Sequence, residues 1–391
     1  MKKKNLLLIA ISFLALTSCG GGDDDNGGGG GVPPTPPTPP TETTGKYVGG
    51  DISLLSAYES ANTKYMDANG NAISNVLDYM KGNDVGWNSM RVRLFVNPPA
   101  AEASDGVVQD LAYVTALGKR IKTAGLNFML DFHYSDSWAD PAKQTLPSQW
   151  ASLSTADLTT KMYTYTKECL QQLVANGATP DFIQIGNEIS FGMIWPSGKV
   201  DAYHDTNWTV FAGYLNNAAK ACREICPKAK IIVHTEQAAN ATTTVNYYKK
   251  LAQYNVDYDI IGLSYYPFWH NNLATLGGTL NQLATNFADK KVQIVETAYY
   301  YQWQPTDGSI TYDFSSTWAI SPAGQEDFAD DLIEELKKHS NVNGLYWWFP
   351  EENGNGKDHT VINAWINRGL WNDNNGRALP ALYELKDFIT E

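Results

Sequence analysis

The sequence predicts an α/β fold, a (β/α)8 TIM barrel forming a single domain, and three observations predict it. From residue 46 onward there are eight short apolar or β-branched runs. Helical patterns separate most of them, and ionisable or aromatic residues gather at their C-terminal ends. Strands alternating with helices mean βαβ units and a parallel sheet. Near-continuous apolar strands fit burial on both faces. Eight such units in about 345 residues is the size of a barrel with enlarged loops. A doubly wound sheet would carry GxGxxG after its first strand or a Walker motif, and this sequence has neither.

The elements follow in order. Lys2, Lys3 and Lys4 precede an apolar run from Leu6 to Leu16, which ends in Leu16-Thr17-Ser18-Cys19. That run is shorter than the roughly 20 residues a membrane crossing needs, but it suits a signal peptide. The ending resembles a bacterial lipobox, so residues 1–18 are expected to be removed and Cys19 to carry lipid. Residues 19–45 are rich in Gly, Asp and Pro, with almost nothing apolar to bury, and read as a disordered stalk. Asp23-Asp24-Asp25 resembles the acidic export tag of surface lipoproteins, which implies an outer-membrane lipoprotein exposed at the cell surface. Residues 46–391 form the barrel domain.

The expected strands are Tyr47 to Ser53, Ser89 to Val96, Leu126 to Phe132, Phe182 to Gly186, Lys230 to His234, Ile260 to Ser264, Val292 to Glu296 and Gly344 to Phe349. Helical spacing predicts Asp110–Thr123, Thr155–Asn176, Phe211–Ile225 and Glu326–Lys338.

Charge and composition narrow the partners. Asp plus Glu is 42 against 29 Lys plus Arg, a formal net charge of −13. A chain this acidic is a poor partner for nucleic acid or an anionic bilayer, so membrane contact is expected through the lipid alone. Aromatics are 12% and charged residues only 18%, which suits stacking against uncharged, flat ligands. Beyond Cys19 only Cys169, Cys222 and Cys226 remain, an odd number without zinc spacing. They read as small packed hydrophobes. A monomer is expected.

The strand ends carry Asp51, Arg93 with Asn97, His133 with Asp136 and Trp138, Asn187-Glu188, His234, Tyr265-Tyr266, Glu296 and Trp347-Trp348. In such barrels these positions share one volume at the C-terminal face. Glu188 and Glu296 each close an otherwise apolar run, where a lone carboxylate is costly unless paired or used. On strands four and seven they can approach within about 5–5.5 Å, the spacing for retaining glycoside hydrolysis. The bland alternative is a pair of ion pairs, with Arg91 or Arg93 neutralising a carboxylate.

The pieces Gly49-Gly50-Asp51-Ile52-Ser53, Met90-Arg91-Val92-Arg93-Leu94-Phe95-Val96-Asn97-Pro98, Asp131 to Pro141, Gln184-Ile185-Gly186-Asn187-Glu188, Ile261 to His270 and Val295-Glu296-Thr297-Ala298-Tyr299 together resemble glycoside hydrolase family 53, the endo-β-1,4-galactanases. The resemblance implies that Glu188 is the acid/base and Glu296 the nucleophile. Asn187 would bond the sugar 2-OH, and Arg93 would keep Glu296 ionised. Tyr265 or Tyr266 would donate to the nucleophile. His133 and His234 would line the cleavage subsite. Asp51, Asp136 and Trp138 would contact sugars, and Trp348 would stack on one, with Trp347 as the fallback. The implied partner is β-1,4-galactan or arabinogalactan.

No cofactor is required. Two departures stand out: Trp347-Trp348-Phe349-Pro350 lacks the Glu common in the family, and Tyr299 to Thr311 lacks the Asp-x-Asp-x-His-x-Asn run with which bacterial relatives hold calcium. Asn353 to Asp358 offers oxygen ligands of the calcium type instead. Tyr299-Tyr300-Tyr301-Gln302-Trp303 either adds subsites or covers the rim. Two alternatives remain: another retaining barrel glycosidase (mannanase, xylanase or cellulase), and a non-catalytic glycan-binding surface lipoprotein.

Overall fold

The computed structural model describes residues 45–201, 204–354, 362 and 365–390. The expected signal peptide, Cys19 and nearly all of the stalk lie outside the described residues, as does the calcium-type segment from residue 355 on.

Eight parallel strands close into a barrel in chain order. They are β1 (Tyr47–Asp51), β2 (Ser89–Leu94), β3 (Asn127–Phe132), β4 (Phe182–Ile185), β5 (Lys230–Thr235), β6 (Ile260–Tyr265), β7 (Lys291–Thr297) and β8 (Val342–Trp348). The seam pairs Tyr47 with Gly344 through to Asp51 with Trp348. Gly49 sits so close to β2 that a Cβ there would fall 1.7 Å from the Ser89 carbonyl oxygen, so no other residue fits.

The long helices are Leu111–Thr123, Thr155–Ala175, Trp208–Ile225, Ala241–Gln253, Leu273–Asn286 and Pro322–Lys337. Their starts are set by side chains that accept first-turn N–H groups, among them Asp110, Ser154, Asn240, Asn272 and Ser321. The expected helix from Glu326 begins four residues earlier, at Pro322, because Ser321 caps it and proline is favoured in a helix's first turn.

Strand alternation divides the core. Val92, Leu130, Ile183, Val233, Leu263 and Leu345 face the helices. Met129, Phe182, Ile232, Ile260, Val295 and Tyr346 fill the barrel interior. Above that apolar plug, Asp51, Arg91, Asp131, Gln184, His234 and Ser264 form a buried polar layer. This layer floors the mouth. Cys169, Cys222 and Cys226 are free and buried.

Candidate active site

Each glutamate reaches the mouth through a local departure from regular strand. In β7, Leu263 pairs with Ile294 but the next residue, Ser264, pairs with Glu296. The register against β8 also slips between Ile294 and Thr297. The extra residue is a bulge, which lets Val295 and Glu296 both turn inward. Past β4, Gly186 has φ 102° and Glu188 has φ 46°, a left-handed conformation that costs a non-glycine residue about 1 kcal/mol or more. The turn is held by Glu188 N–H donating to His234 Nδ1 at 3.3 Å and Ile189 N–H to the His234 carbonyl at 3.0 Å.

One hydroxyl links the pair. Ser264 Oγ donates to Glu188 Oε1 at 2.6 Å and lies 3.5 Å from Glu296 Oε2. These two legs keep Glu188 Oε1 and Glu296 Oε2 within about 6 Å of each other, as the roughly 5–5.5 Å carboxyl spacing of retaining chemistry requires.

The surroundings of the two carboxylates differ. Arg91 Nη2 lies 3.0 Å from Glu296 Oε1, and Tyr266 OH donates to Oε2 at 3.0 Å. Arg91 also grips Asp51 Oδ2 and Asp131 Oδ2, both at 2.8 Å, and Asn187 Oδ1 at 2.9 Å. Burial raises the Glu296 carboxyl to about 7, with Arg91 and Tyr266 holding it down against that. Among the described residues, no cation lies beside Glu188. Burial, then the charges of Glu296 and Glu236, push its carboxyl well above the ordinary range, against the opposing hydrogen bond from Ser264. The proton therefore belongs on Glu188 and the charge on Glu296.

A cleft of about 620 Å³ opens above them, lined by both glutamates and by His133, Trp138, Asn187, Tyr266, Trp269, Trp348 and Trp365. The aromatic walls are preorganised. The Arg93 guanidinium stacks over Trp138 at 4.4 Å, and Trp348 meets Trp365 edge-on at 4.5 Å. Asn187 Nδ2 donates to the Ala139 carbonyl at 2.8 Å, which leaves its second hydrogen for a ligand. His133 accepts from Ala139 N–H at Nδ1 and turns Nε2 toward Asp131 at 3.2 Å.

Several expectations need correction. The arginine beside Glu296 is Arg91. Arg93, on the same face of β2 but nearer the mouth, pairs with Asp51 at 3.1 Å and supports Trp138. Asp51 is fully buried, with both oxygens taken by Arg91, Arg93 and Ser53, so it anchors the arginines and does not reach the cleft. Asp136 ties its own loop together by accepting from the N–H and hydroxyl of Ser148. His234 lies beneath Glu188, fully buried, and burial drives its imidazole well below its usual value, so it is neutral. Of the two tyrosines, Tyr265 points outward and donates to the Asn271 carbonyl; Tyr266 reaches the nucleophile. Trp347 likewise faces outward, donating to the Arg368 carbonyl, and Trp348 lines the cleft.

Tyr299, Tyr300 and Tyr301 are buried and cover the rim, while Trp303 is half exposed. Asp307, the one acid between Tyr299 and Thr311, accepts from Ser309 N–H, so that stretch does not fit a calcium site.

Sequence reasoning passed over Arg91 as a site residue, and also Ser264, Glu236, Trp269 and Trp365. Ser264 and Glu236 had a signal, each standing two residues from a chosen position on the same face (Tyr266 and His234). Trp365 comes from an irregular loop and had none.

The sequence profile of glycosyl hydrolase family 53 matches residues 47–385. The chain belongs to that family. It is 34% identical over 317 residues to an arabinogalactan endo-β-1,4-galactanase of Thermothelomyces thermophilus, covering 78% of this chain and 89% of the relative. A family 53 catalytic domain from Ignisphaera aggregans superposes with a TM-score of 0.78 at 31% identity, covering 90% of this chain and 99% of that one. A structure from a study of two fungal β-1,4-galactanases gives 0.73 at 30%, covering 88% and 99%. The family 53 chain thus has its two glutamates, the hydroxyl between them and the aromatic cleft within one barrel.

Proposed function

We propose that this chain is an endo-acting β-1,4-galactanase that cleaves galactan or arabinogalactan by double displacement with retention. The observation that carries the reading is the close, unequal carboxylate pair, found in a barrel whose family spans residues 47–385. The open, aromatic-lined cleft supports binding of a polymer of uncharged sugars.

In the first step a Glu296 oxygen bonds the anomeric carbon as the bond to the leaving oxygen breaks, and the Glu188 proton passes to that oxygen. Forming the ester removes the negative charge of Glu296, so the Glu188 carboxyl falls in pKa and can take a proton from water. Water then displaces Glu296, and Glu188 is protonated again. Arg91 and Tyr266 hold the nucleophile ionised and oriented. Asn187 Nδ2 is placed to donate to the sugar 2-OH.

NMR of the products from β-1,4-galactan tests this. New reducing ends in the β configuration, on oligomers of several lengths, are expected. Products in the α configuration, or activity on mannan, xylan or cellulose but not galactan, would overturn it.

At the N-terminus, the basic head, apolar run and Leu16-Thr17-Ser18-Cys19 support lipid attachment at Cys19 and an outer-membrane, surface-exposed location. Incorporation of a palmitate analogue that is lost in Cys19→Ala tests that placement.

A further inference from the structure

We propose that the Ser264 hydroxyl, oriented by His234, dictates which oxygen of Glu188 carries the catalytic proton. The proposal deepens the function above and rests on Glu188 being the acid.

Hydrogen-bond direction fixes the relay. The backbone N–H of Glu188 is fixed by the turn after β4 and points at His234 Nδ1, 3.3 Å away. A backbone N–H can only donate, so Nδ1 is the bare nitrogen of the ring. The imidazole is sealed in the core and neutral, so its hydrogen sits on Nε2, 2.9 Å from Ser264 Oγ. Ser264 accepts that hydrogen and has one of its own to give. Its acceptors are Glu188 Oε1 at 2.6 Å and, more distantly, Glu296 Oε2 at 3.5 Å. The relay therefore runs His234 Nε2–H to Ser264 Oγ–H to Glu188 Oε1. The opposite direction would need Nδ1 to donate to Asn187 Oδ1 at 3.2 Å, with the Glu188 N–H left facing another hydrogen.

An oxygen that accepts from Ser264 cannot also hold a proton facing Ser264. The acidic proton of Glu188 is thereby confined to Oε2. That oxygen has no partner among the described residues, and Glu188 lines the cleft. Without the hydroxyl, the proton would divide its time between a useful oxygen and one turned into the protein. Gly262, one inward position below Ser264, makes room for the relay: a Cβ there would fall 3.3 Å from the His234 Cβ. Ser264 is thus a positioning residue, acting through Glu188.

The test compares two substrates on the full-length protein. One is β-1,4-galactan, whose leaving sugar needs the proton. The other is a 2,4-dinitrophenyl β-1,4-galactobioside, whose leaving group does not. In both cases kcat/KM reports glycosylation. For Ser264→Ala, a loss of roughly 30-fold on galactan and less than about threefold on the aryl substrate is expected, a part of what a general acid supplies. Ser264→Thr, which keeps the hydroxyl, should recover most of the galactan activity. Equal losses on both substrates would mean that Ser264 only packs, and would overturn the proposal. Should Ser264→Ala fail to fold, Ser264→Cys preserves the volume with a weaker donor. It should show the same split, smaller, and a folded Cys variant without a split contradicts the relay. Glu188→Ala separates the two levels: if it loses equally on both substrates, the acid assignment itself fails, whatever Ser264 shows.

Discussion

The two sides of the barrel mouth hold the same side chain in opposite surroundings. Around Glu296, strands β1, β2 and β3 supply Asp51, Arg91 and Asp131, a buried network in which one guanidinium bonds three carboxylates. Around Glu188, no described residue of β5 or β6 brings a cation: neutral His234 accepts the Glu188 N–H, Ser264 donates to its carboxylate, and Glu236 just past β5 adds a like charge. Both carboxylates sit in a desolvated pocket, which by itself would protonate both. A cation on the first side, and only like charge on the second, decide which one ionises. The lesson is that acid and nucleophile are defined here by what the neighbouring strands present, not by the glutamates themselves.

The strongest way to break this comparison is to delete each glutamate in turn. Glu296→Ala should lose on the order of 10⁴-fold in turnover on any substrate. Azide should revive it and give product of inverted configuration. Glu188→Ala should lose galactan cleavage to a similar degree but keep much of its kcat/KM on the dinitrophenyl substrate. Identical behaviour of the two variants would erase the distinction between the sides.

A smaller effect separates the arginines. Arg91→Lys retains a charge but cannot span Asp51, Asp131, Asn187 and Glu296 together. A fall of about 100-fold in kcat/KM is expected, with the acidic limb of the pH profile moving to higher pH as the shorter-reaching ammonium sits farther from Glu296. Arg93→Lys should cost about tenfold at most, chiefly in KM through Trp138, and leave that limb in place. If the limb moves with Arg93 and not Arg91, the network has been assigned to the wrong residue.

The smallest effect is on stability. Both carboxyls have folded values above their ordinary one. Their contribution to folding is therefore full below about pH 4.5 and is lost as pH rises through the folded values. Glu188→Gln, always neutral, should melt about 2–4 °C above the parent at pH 7.5, with the gap closing toward pH 4.5. A gap that is constant across that range would point to packing and not to charge.

Much of this site was legible in the sequence, because apolar runs with a polar terminal residue announce strand ends at a barrel mouth. Glu188, Asn187, Glu296, His133 and Trp138 stand out on that basis. What was not legible is geometric. Arg91 and Arg93 alternate onto the same face of β2, and period-two reasoning cannot say which layer meets β7. The β7 bulge that turns Glu296 inward has no mark in the sequence, where Val295 and Glu296 read as facing opposite ways. Asp51 and Asp136 were read as sugar contacts because a polar residue at a strand end can face either the cleft or its own neighbours. Here Asp51 meets two arginines and Asp136 meets Ser148. Trp269 reaches the cleft from the single helical turn Pro267–His270 and Trp365 from an irregular segment, both too short for periodicity to place them.

The most direct test of the unequal pair is a carbon-13 NMR titration of the two carboxyl carbons in glutamate-labelled protein, assigned by Glu188→Gln and Glu296→Gln. Glu188 should titrate at the higher pH, and its midpoint should fall when Glu296 is made neutral. A Glu296 midpoint above that of Glu188, or a Glu188 midpoint indifferent to Glu296→Gln, would contradict the account.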